Sequence, residues 1–150
     1  FYMGYGGGPV PHAEWNVRAD VESAQKFMTS GVPITLAGLD VTTIVKFNEQ
    51  RRQQIQLRNS PLTDALCGLY SLWSSSSPDR DPTLFDPVAV AMVFDDSFVT
   101  TRRAHVRVTE EGYTVIDESM PANCSIGMHI RTGAFLDWLT GRLLKQNLMR

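Results

Sequence analysis

The sequence is short of the features that identify several common classes of protein. Its 150 residues include only two cysteines, Cys67 and Cys124, which are too few for a disulfide scaffold, and no Cys/His group has zinc-ligand spacing. A net charge of −2 offers no basic surface for nucleic acid. No apolar run is long enough to span a bilayer. We therefore expect neither a nucleic-acid nor a membrane partner, and the cysteine usage predicts a reducing compartment, the cytoplasm.

Motifs for nucleotides and for single-loop cation sites are also missing. No G-x-G-x-x-G follows a strand, no P-loop lysine is present, and the glycine-rich GYGGG is too degenerate to count. The chain has no loop with a cluster of acidic residues. A hard cation such as Ca²⁺ would therefore have to collect its oxygen ligands from separate parts of the protein.

What the chain does contain predicts an α/β fold. Hydrophobic residues make up 43% and charged residues 20%, which is typical of a compact domain with a core. Asp20 can cap a helix whose apolar positions, at helical spacing, are Val21, Ala24, Phe27 and Met28, and which Gly31 ends. The continuous apolar run at 32–39 predicts a strand buried on both faces, as in a parallel sheet. Together with a short strand at residues 1–4, this strand–helix–strand order indicates a layered α/β fold.

Caps and periodicity predict the remaining elements. The pair Asp86–Pro87 marks a helix start, with Asp86 at the N-cap and Pro87 at the first helical position. The alternation around Glu111-Gly112 predicts a hairpin. Further along the chain we expect a polar helix at 42–56, an apolar helix at 62–73, a surface loop at 74–82, a strand at 123–130 and an amphipathic helix at 132–144, with Phe135, Leu136, Leu139 and Leu143 inward.

Four residues are candidates for a site, each with an ordinary structural alternative. Glu14 and Asn16 lie two apart on a segment predicted to be extended, which would place them on one face. A carboxylate and an amide together suit the hydroxyls of a sugar, although surface residues with no ligand are commoner. Asp86 could cap its helix or bind a hard cation. Phe85 could pack in the core or form an aromatic wall against a ring.

Two segments, AEWNVRADVESAQKFMTSGVPITLAGLDVT and DPVAVAMVFDDSFVTTRRAHVRVTEEG, resemble the two signatures of the inosine-uridine preferring nucleoside hydrolase family. In that family an AEFN-type segment precedes a strand ending GLDVT. A (His)-Asp-Pro-x-Ala-Val-Ala helix is then followed by a Thr-Thr pair and a hairpin. The resemblance covers nearly the whole chain and matches the C-terminal half of the family. It implies the C-terminal portion of a Rossmann-like layered fold, with a mostly parallel sheet plus a β-hairpin.

The resemblance also implies roles for individual residues. Glu14 and Asn16 would hydrogen-bond ribose hydroxyls, and Met3 would lie near the ribose. Asp86 would be the catalytic and metal-binding carboxylate, coordinating Ca²⁺ and contacting the ribose diol. The implied reaction is hydrolysis of the N-ribosidic bond of a ribonucleoside, through a transition state that resembles an oxocarbenium ion, in a protein that forms homo-oligomers.

The sequence departs from the family pattern in three places. The aspartate-rich N-terminal motif, which supplies most Ca²⁺ ligands and the catalytic base, is absent. We therefore expect residues 1–150 to be the C-terminal part of a single hydrolase domain whose N-terminal part lies outside this chain. Phe85 stands where many members have histidine, which favours stacking on a purine. Gly8 stands where members often have an asparagine for the 5′-hydroxyl. The alternative is a catalytically impaired binding or structural module.

Overall fold

A computed structural model of the chain describes residues 12–76 and 81–146. The predicted strand at 1–4, Met3, Gly8 and residues 77–80 of the predicted surface loop lie outside the described residues. The chain divides into two compact units, one formed from Phe1–Ile44 with Phe85–Ile130 and the other from Val45–Leu84 with Arg131–Arg150. In the described ranges, no helix combines the length and apolar character needed to cross a membrane.

The described residues form five strands and seven α-helices. The strands are β1 (Thr35–Leu36), β2 (Val99–Ala104), β3 (Val106–Val108), β4 (Thr114–Ile116) and β5 (Cys124–Ile130). The helices are α1 (Trp15–Ala19), α2 (Val21–Met28), α3 (Leu39–Thr42), α4 (Glu49–Arg58), α5 (Pro61–Ser74), α6 (Phe85–Phe94) and α7 (Thr132–Lys145). A 3₁₀ turn at Asp96–Phe98 leads from α6 into β2.

The first unit contains both sheets, and the predicted α/β class is confirmed. The larger sheet has the order β1-β5-β2, with β1 parallel and β2 antiparallel to β5. Its described part is therefore mixed. Strands β3 and β4 form the predicted antiparallel hairpin, and Gly112 in its turn has φ +83°. Glycine suits this turn because it adopts positive φ without steric cost.

Helix α2 and the hairpin cover a common core in the first unit. Asp20 caps α2 as predicted, since its side chain accepts a hydrogen bond from the Ser23 N–H at 2.9 Å. Of its apolar positions, Met28 is buried, whereas Phe27 is 50% exposed. The buried cluster consists of Met28, Ile34, Ala104, Val106, Val108, Ile116, Cys124 and Ile126, with Val17, Val21, Ala24 and Leu36 packed against it.

The predicted strand at 32–39 is much shorter in the structure. Only Thr35 and Leu36 pair with β5. Gly38 then accepts hydrogen bonds from the backbone N–H groups of Val41 and Thr42, so the chain turns into α3 at Leu39. A continuous apolar run cannot by itself show how far its pairing partner extends, and here the pairing stops after two residues.

The second unit is helical, and its two apolar helices were predicted. Helix α5 begins at a capping box formed by Ser60 and Thr63, and it agrees with the predicted helix at 62–73. Helix α7 agrees with the predicted amphipathic helix, and Phe135 and Leu136 are buried in it. The polar helix begins at Glu49 instead of residue 42, because Asn48 caps it by accepting from the Arg51 N–H at 3.1 Å.

Candidate functional site

Glu14 is the N-cap of the short helix α1. Its backbone is extended, with φ −66° and ψ 140°, and its Oε2 accepts a hydrogen bond from the Val17 N–H at 3.1 Å. The main-chain carbonyl of Glu14 also accepts from the Arg18 N–H at 2.9 Å. The cap fixes the direction of the carboxylate. Within the described part of the chain, its second oxygen, Oε1, has no hydrogen-bond partner and can accept from a ligand.

The prediction that AEWNVR is extended is wrong. Residues 15–19 are helical, and the two-residue spacing therefore no longer places Glu14 and Asn16 on one face, as it would on a strand. The physical cause is the Glu14 side chain, which satisfies one of the unpaired N–H groups at the helix start. The local sequence did not predict this cap, because glutamate is not among the preferred N-cap residues.

Asn16 lies in the first turn of α1, one residue beyond Trp15. Its side chain is exposed and makes no hydrogen bond to any residue in the described ranges. Trp15 is 76% exposed. The first turn of α1 thus presents an amide, an indole ring and the capped carboxylate of Glu14 within three consecutive residues. Such a group can donate to and accept from hydroxyls and can offer an apolar face.

Asp86 and Phe85 lie together at the start of α6. The helix begins at Phe85, so Asp86 is inside the first turn, and its predicted N-cap position is wrong by two residues. Asp86 is exposed and hydrogen-bonds to no described residue, while Phe85 is 39% exposed. The Asp86 carboxylate is favoured at a helix start by the helix dipole and remains available to a ligand.

The structure therefore gives two separate pairs of candidate residues. Glu14 and Asn16 share α1, which packs against α2, and Phe85 and Asp86 share α6, which packs against α3 and the 3₁₀ turn. Between α1 and α6, no hydrogen bond or ion pair is formed in the ranges that the structure describes. Met3 and Gly8, the other predicted site positions, lie outside those ranges.

The described residues do not by themselves form a site for Ca²⁺. In residues 12–76 and 81–146, no group of three or more His, Cys, Asp or Glu side chains could hold a metal ion. Calcium takes six to eight oxygen ligands. Asp86 can contribute one carboxylate, and a complete Ca²⁺ site would need further oxygen ligands from other groups.

Two titratable groups near these elements are perturbed. Hydrogen bonds from Ser23, the backbone N–H first, lower the pKa of the Asp20 carboxyl that joins α1 to α2. Burial raises the pKa of the Cys124 thiol in β5. Cys124 is therefore a structural thiol of the core and not a candidate nucleophile. Both cysteines are free.

Two curated proteins resemble the chain in sequence. A probable uridine nucleosidase 2 of Oryza sativa subsp. japonica is 33% identical over 112 residues, covering 71% of this chain and 33% of the relative. The pyrimidine-specific ribonucleoside hydrolase RihA of Photobacterium profundum is 27% identical over 153 residues, covering 91% of this chain and 49% of the relative. The chain thus spans between a third and a half of the length of these curated relatives.

A solved structure and a family profile agree with these relatives. The purine-preferring ribonucleoside hydrolase from Gardnerella vaginalis superposes with a TM-score of 0.76 at 25% identity, over 88% of this chain and 46% of that enzyme. The profile of the inosine-uridine preferring nucleoside hydrolases matches residues 2–137. A match over nearly the entire length establishes the family, and the chain belongs to the inosine-uridine preferring nucleoside hydrolases.

Proposed function

We propose that this chain contributes to a protein that hydrolyses the N-ribosidic bond of ribonucleosides, giving ribose and a free base. The observation that carries the proposal is the family match over residues 2–137, which contains Glu14, Asn16, Phe85 and Asp86. The names of the relatives, a uridine nucleosidase and two ribonucleoside hydrolases, describe this reaction for those proteins.

Glu14 and Asn16 have the chemistry to bind the ribose. The Val17 N–H holds one oxygen of Glu14, which leaves Oε1 to accept from a ribose hydroxyl in a fixed direction. The exposed Asn16 amide can donate to one hydroxyl and accept from another. A carboxylate bonded to a hydroxyl stabilises positive charge developing on the sugar more than it stabilises the neutral ground state. These contacts would therefore lower the barrier as well as bind the substrate.

Asp86 is the proposed catalytic carboxylate of this chain, and Ca²⁺ is the proposed metal. As the family resemblance implies, a bound Ca²⁺ ion would act as a Lewis acid that activates water. The described residues do not complete such a site. What Asp86 can do unaided is accept hydrogen bonds from the ribose diol through its exposed oxygens. The base that activates water is expected outside this chain.

Phe85 is the basis for a proposed preference for purine nucleosides. A side chain that is 39% exposed can stack its ring on a flat base, and the larger purine offers more area than a pyrimidine. The relatives are divided, since two are named for uridine or pyrimidine substrates and one for purines. Phe85→Ala should therefore weaken turnover of inosine more than that of uridine, and Phe27→Ala, at another half-exposed phenylalanine, is the matched control. Equal losses on both substrates would mean that Phe85 only packs.

A second part of the hydrolase domain is the proposed partner of this chain. Helix α6 is apolar nearly all round, a pattern typical of a buried helix. Yet Val90 is 57% and Val93 is 84% exposed. The chain also spans only about half of the Gardnerella enzyme. A complementary N-terminal part covering this face would explain both observations. Homo-oligomer formation and a cytoplasmic location are further proposals, the latter in keeping with the free thiols of Cys67 and Cys124.

The competing proposal is a binding or structural module on the same fold that has lost catalysis. It is favoured by Phe85 in place of a proton-donating histidine and by Gly8 in place of an asparagine for the 5′-hydroxyl. Such a module would bind a nucleoside or ribose without releasing product. The two proposals share Glu14 and Asn16 as sugar contacts and differ only in turnover.

Intact mass and ribose release, measured on protein purified from its natural source, decide between them. We expect a mass near twice that of this chain, with release of ribose from inosine or uridine that a Ca²⁺ chelator abolishes. Asp86→Asn should remove the activity. Asp64→Asn, at an equally exposed aspartate in the first turn of α5, should not. Binding of ribose without release from any nucleoside would support the non-catalytic module.

A further inference from the structure

The turn of the β3–β4 hairpin is fixed by short-range hydrogen bonds around Gly112. The Gly112 N–H donates to the Thr109 carbonyl at 3.0 Å, and the Thr109 N–H donates to the Tyr113 carbonyl at 2.9 Å. The Thr109 hydroxyl also accepts from the Tyr113 N–H at 3.2 Å. Gly112 has φ +83°, a conformation that other residues seldom adopt. The turn is thus a defined structure and not a loose loop.

Helix α1 lies directly against this turn. A Cβ atom placed on Gly112 would come within 2.8 Å of Arg18 Cγ, 3.2 Å of Arg18 Cα and 3.5 Å of the Arg18 backbone nitrogen. Carbon atoms in favourable contact stay about 3.5–4.0 Å apart. The closest approach is to the side-chain Cγ, and the 3.2 Å approach to Cα involves the backbone, which rotation of the Arg18 side chain does not move. A side chain at position 112 should therefore displace the Arg18 side chain and shift the α1 backbone by a few tenths of an ångström.

The hairpin side of this contact is well anchored. Asn123 donates to the Val106 carbonyl at 2.9 Å and accepts from the Val106 N–H at 2.8 Å. Gln25 of α2 donates to the Val108 carbonyl at 3.1 Å. Val106 and Val108 are both buried in the core. When the two sides are forced apart, the hairpin should therefore stay and α1 should move.

Apart from the turn, α1 is held by the partly buried Val17, which packs against the core, and by its packing against α2. Helix α1 has five residues and none of them is fully buried, whereas isolated helices below about 12 residues are marginal in water. Arg18 is joined to Glu14 by the main-chain hydrogen bond of 2.9 Å, and Val17 is joined to the Glu14 carboxylate. A displacement at Arg18 therefore passes to both ends of the helix, including Glu14 and Asn16.

We propose that Gly112 is a positioning residue for ribose recognition. Because Gly112 has no side chain, the hairpin turn can pack closely against α1, and this contact holds Glu14 and Asn16 in position to bind the sugar. This inference rests on the proposed role of those two residues. It adds a distant part of the sequence, 94 positions from Arg18, to the site. The sequence signal for it, a glycine in a hairpin turn, indicated only the turn.

The test compares Gly112→Ala with Gly31→Ala. Gly31 has nearly the same backbone angle, φ +79°, and also belongs to the first unit, but a Cβ there would meet nothing within 4 Å. Both variants therefore carry the backbone strain of alanine at positive φ, and only Gly112→Ala adds the collision with α1. Arg18→Ala, which removes Cγ, should partly rescue Gly112→Ala.

Two measurements distinguish displacement of α1 from a loss of ribose binding. The first is the NMR signal of the Trp15 indole N–H, assigned with Trp15→Phe, because Trp15 lies between Glu14 and Asn16. The second is the affinity for D-ribose, followed at backbone amides of α1, together with KM for inosine in the natural protein. We expect Gly112→Ala to shift the indole signal and weaken ribose affinity about tenfold or more, with a smaller change in kcat. Gly31→Ala should change neither.

Three results would overturn the inference. The indole signal could stay in place in Gly112→Ala, it could shift equally in Gly31→Ala, or it could shift while ribose affinity is unchanged. If instead the hydrolase proposal is wrong, the unaltered protein would bind D-ribose but would release no ribose from nucleosides. In that case the ribose affinities of the two variants still decide the role of Gly112. An unaltered protein that neither binds nor releases ribose would overturn both.

Discussion

Helices α1 and α6 carry the two pairs of candidate site residues, and they are held in place in different ways. Helix α1 is short, has no fully buried residue and depends on a side-chain cap, on the partly buried Val17 and on contact with a hairpin turn. Helix α6 is apolar and is anchored by the buried Val88 and Ala91. Its opposite face, with Val90 and Val93, is exposed. The described chain therefore accounts for the position of α1 but leaves one face of α6 uncovered.

The largest expected effect comes from placing a charge on the buried face of α6, with the exposed face as its comparison. Val88 is 1% exposed, so Val88→Asp buries an unpaired carboxylate and should cost about 3 kcal/mol or more of unfolding free energy. In these 150 residues alone, Val93→Asp should change stability by less than about 0.5 kcal/mol. Urea denaturation measures both values.

The same Val93→Asp variant tests what covers α6. In natural protein that carries a complementary part over this face, the aspartate would be buried, and the cost should rise toward that of Val88→Asp. An equally small effect in natural protein would mean that the exposed face of α6 stays in water. The proposed partner would then have to bind elsewhere.

Asp86→Asn should have the next largest effect, and it should fall on activity alone. Removing the carboxylate while keeping its shape should lower ribose release about 100-fold or more. Because Asp86 is exposed and bonds to no described residue, the melting temperature should stay within about 1 °C of that of the unaltered protein. Parallel kinetics and thermal unfolding check this. A large loss of stability without loss of activity would make Asp86 a structural residue.

Glu14 should show a smaller, mixed effect because it caps α1 and is also proposed to bind the ribose. Glu14→Ala removes the cap and should lower the free energy of unfolding by about 1 kcal/mol. It should also weaken ribose affinity. Glu14→Gln keeps an oxygen that can accept from the Val17 N–H, so stability should be largely retained while affinity falls through loss of charge. Comparing the two variants by thermal unfolding and ribose titration separates the roles. If Glu14→Gln retained both the stability and the ribose affinity of the unaltered protein, the cap would be the only role of Glu14.

The smallest expected effect is a pH dependence at the junction of α1 and α2. The pKa of Asp20 is lowered, chiefly by the Ser23 backbone hydrogen bond, so the ionised form is favoured in the folded state. Its contribution to stability is therefore present at neutral pH and is lost as pH falls below about 4. Asp20→Asn can still cap α2 but cannot titrate. The difference in melting temperature between the two proteins should narrow from pH 6 to about pH 3, and a constant difference would contradict this.

Local signals in the sequence predicted a large part of the fold. The Asp20 cap, the helices α5 and α7, the strand β5 and the hairpin with Gly112 were all confirmed. Each depends on residues a few positions apart, through a cap, a period of 3.6 or a positive φ. The resemblance also identified the family correctly, because two motifs in the right order are a property of the sequence alone.

The sequence by itself thus determined the family, the starts of helices α2, α5 and α7 and the identity of the candidate site residues. Tertiary structure decided the extent of β1, which ends where its pairing with β5 ends. It also decided the contact of Arg18 with Gly112, which joins residues 94 positions apart. These features depend on which distant segment lies alongside, and periodicity within one segment carries no information about that.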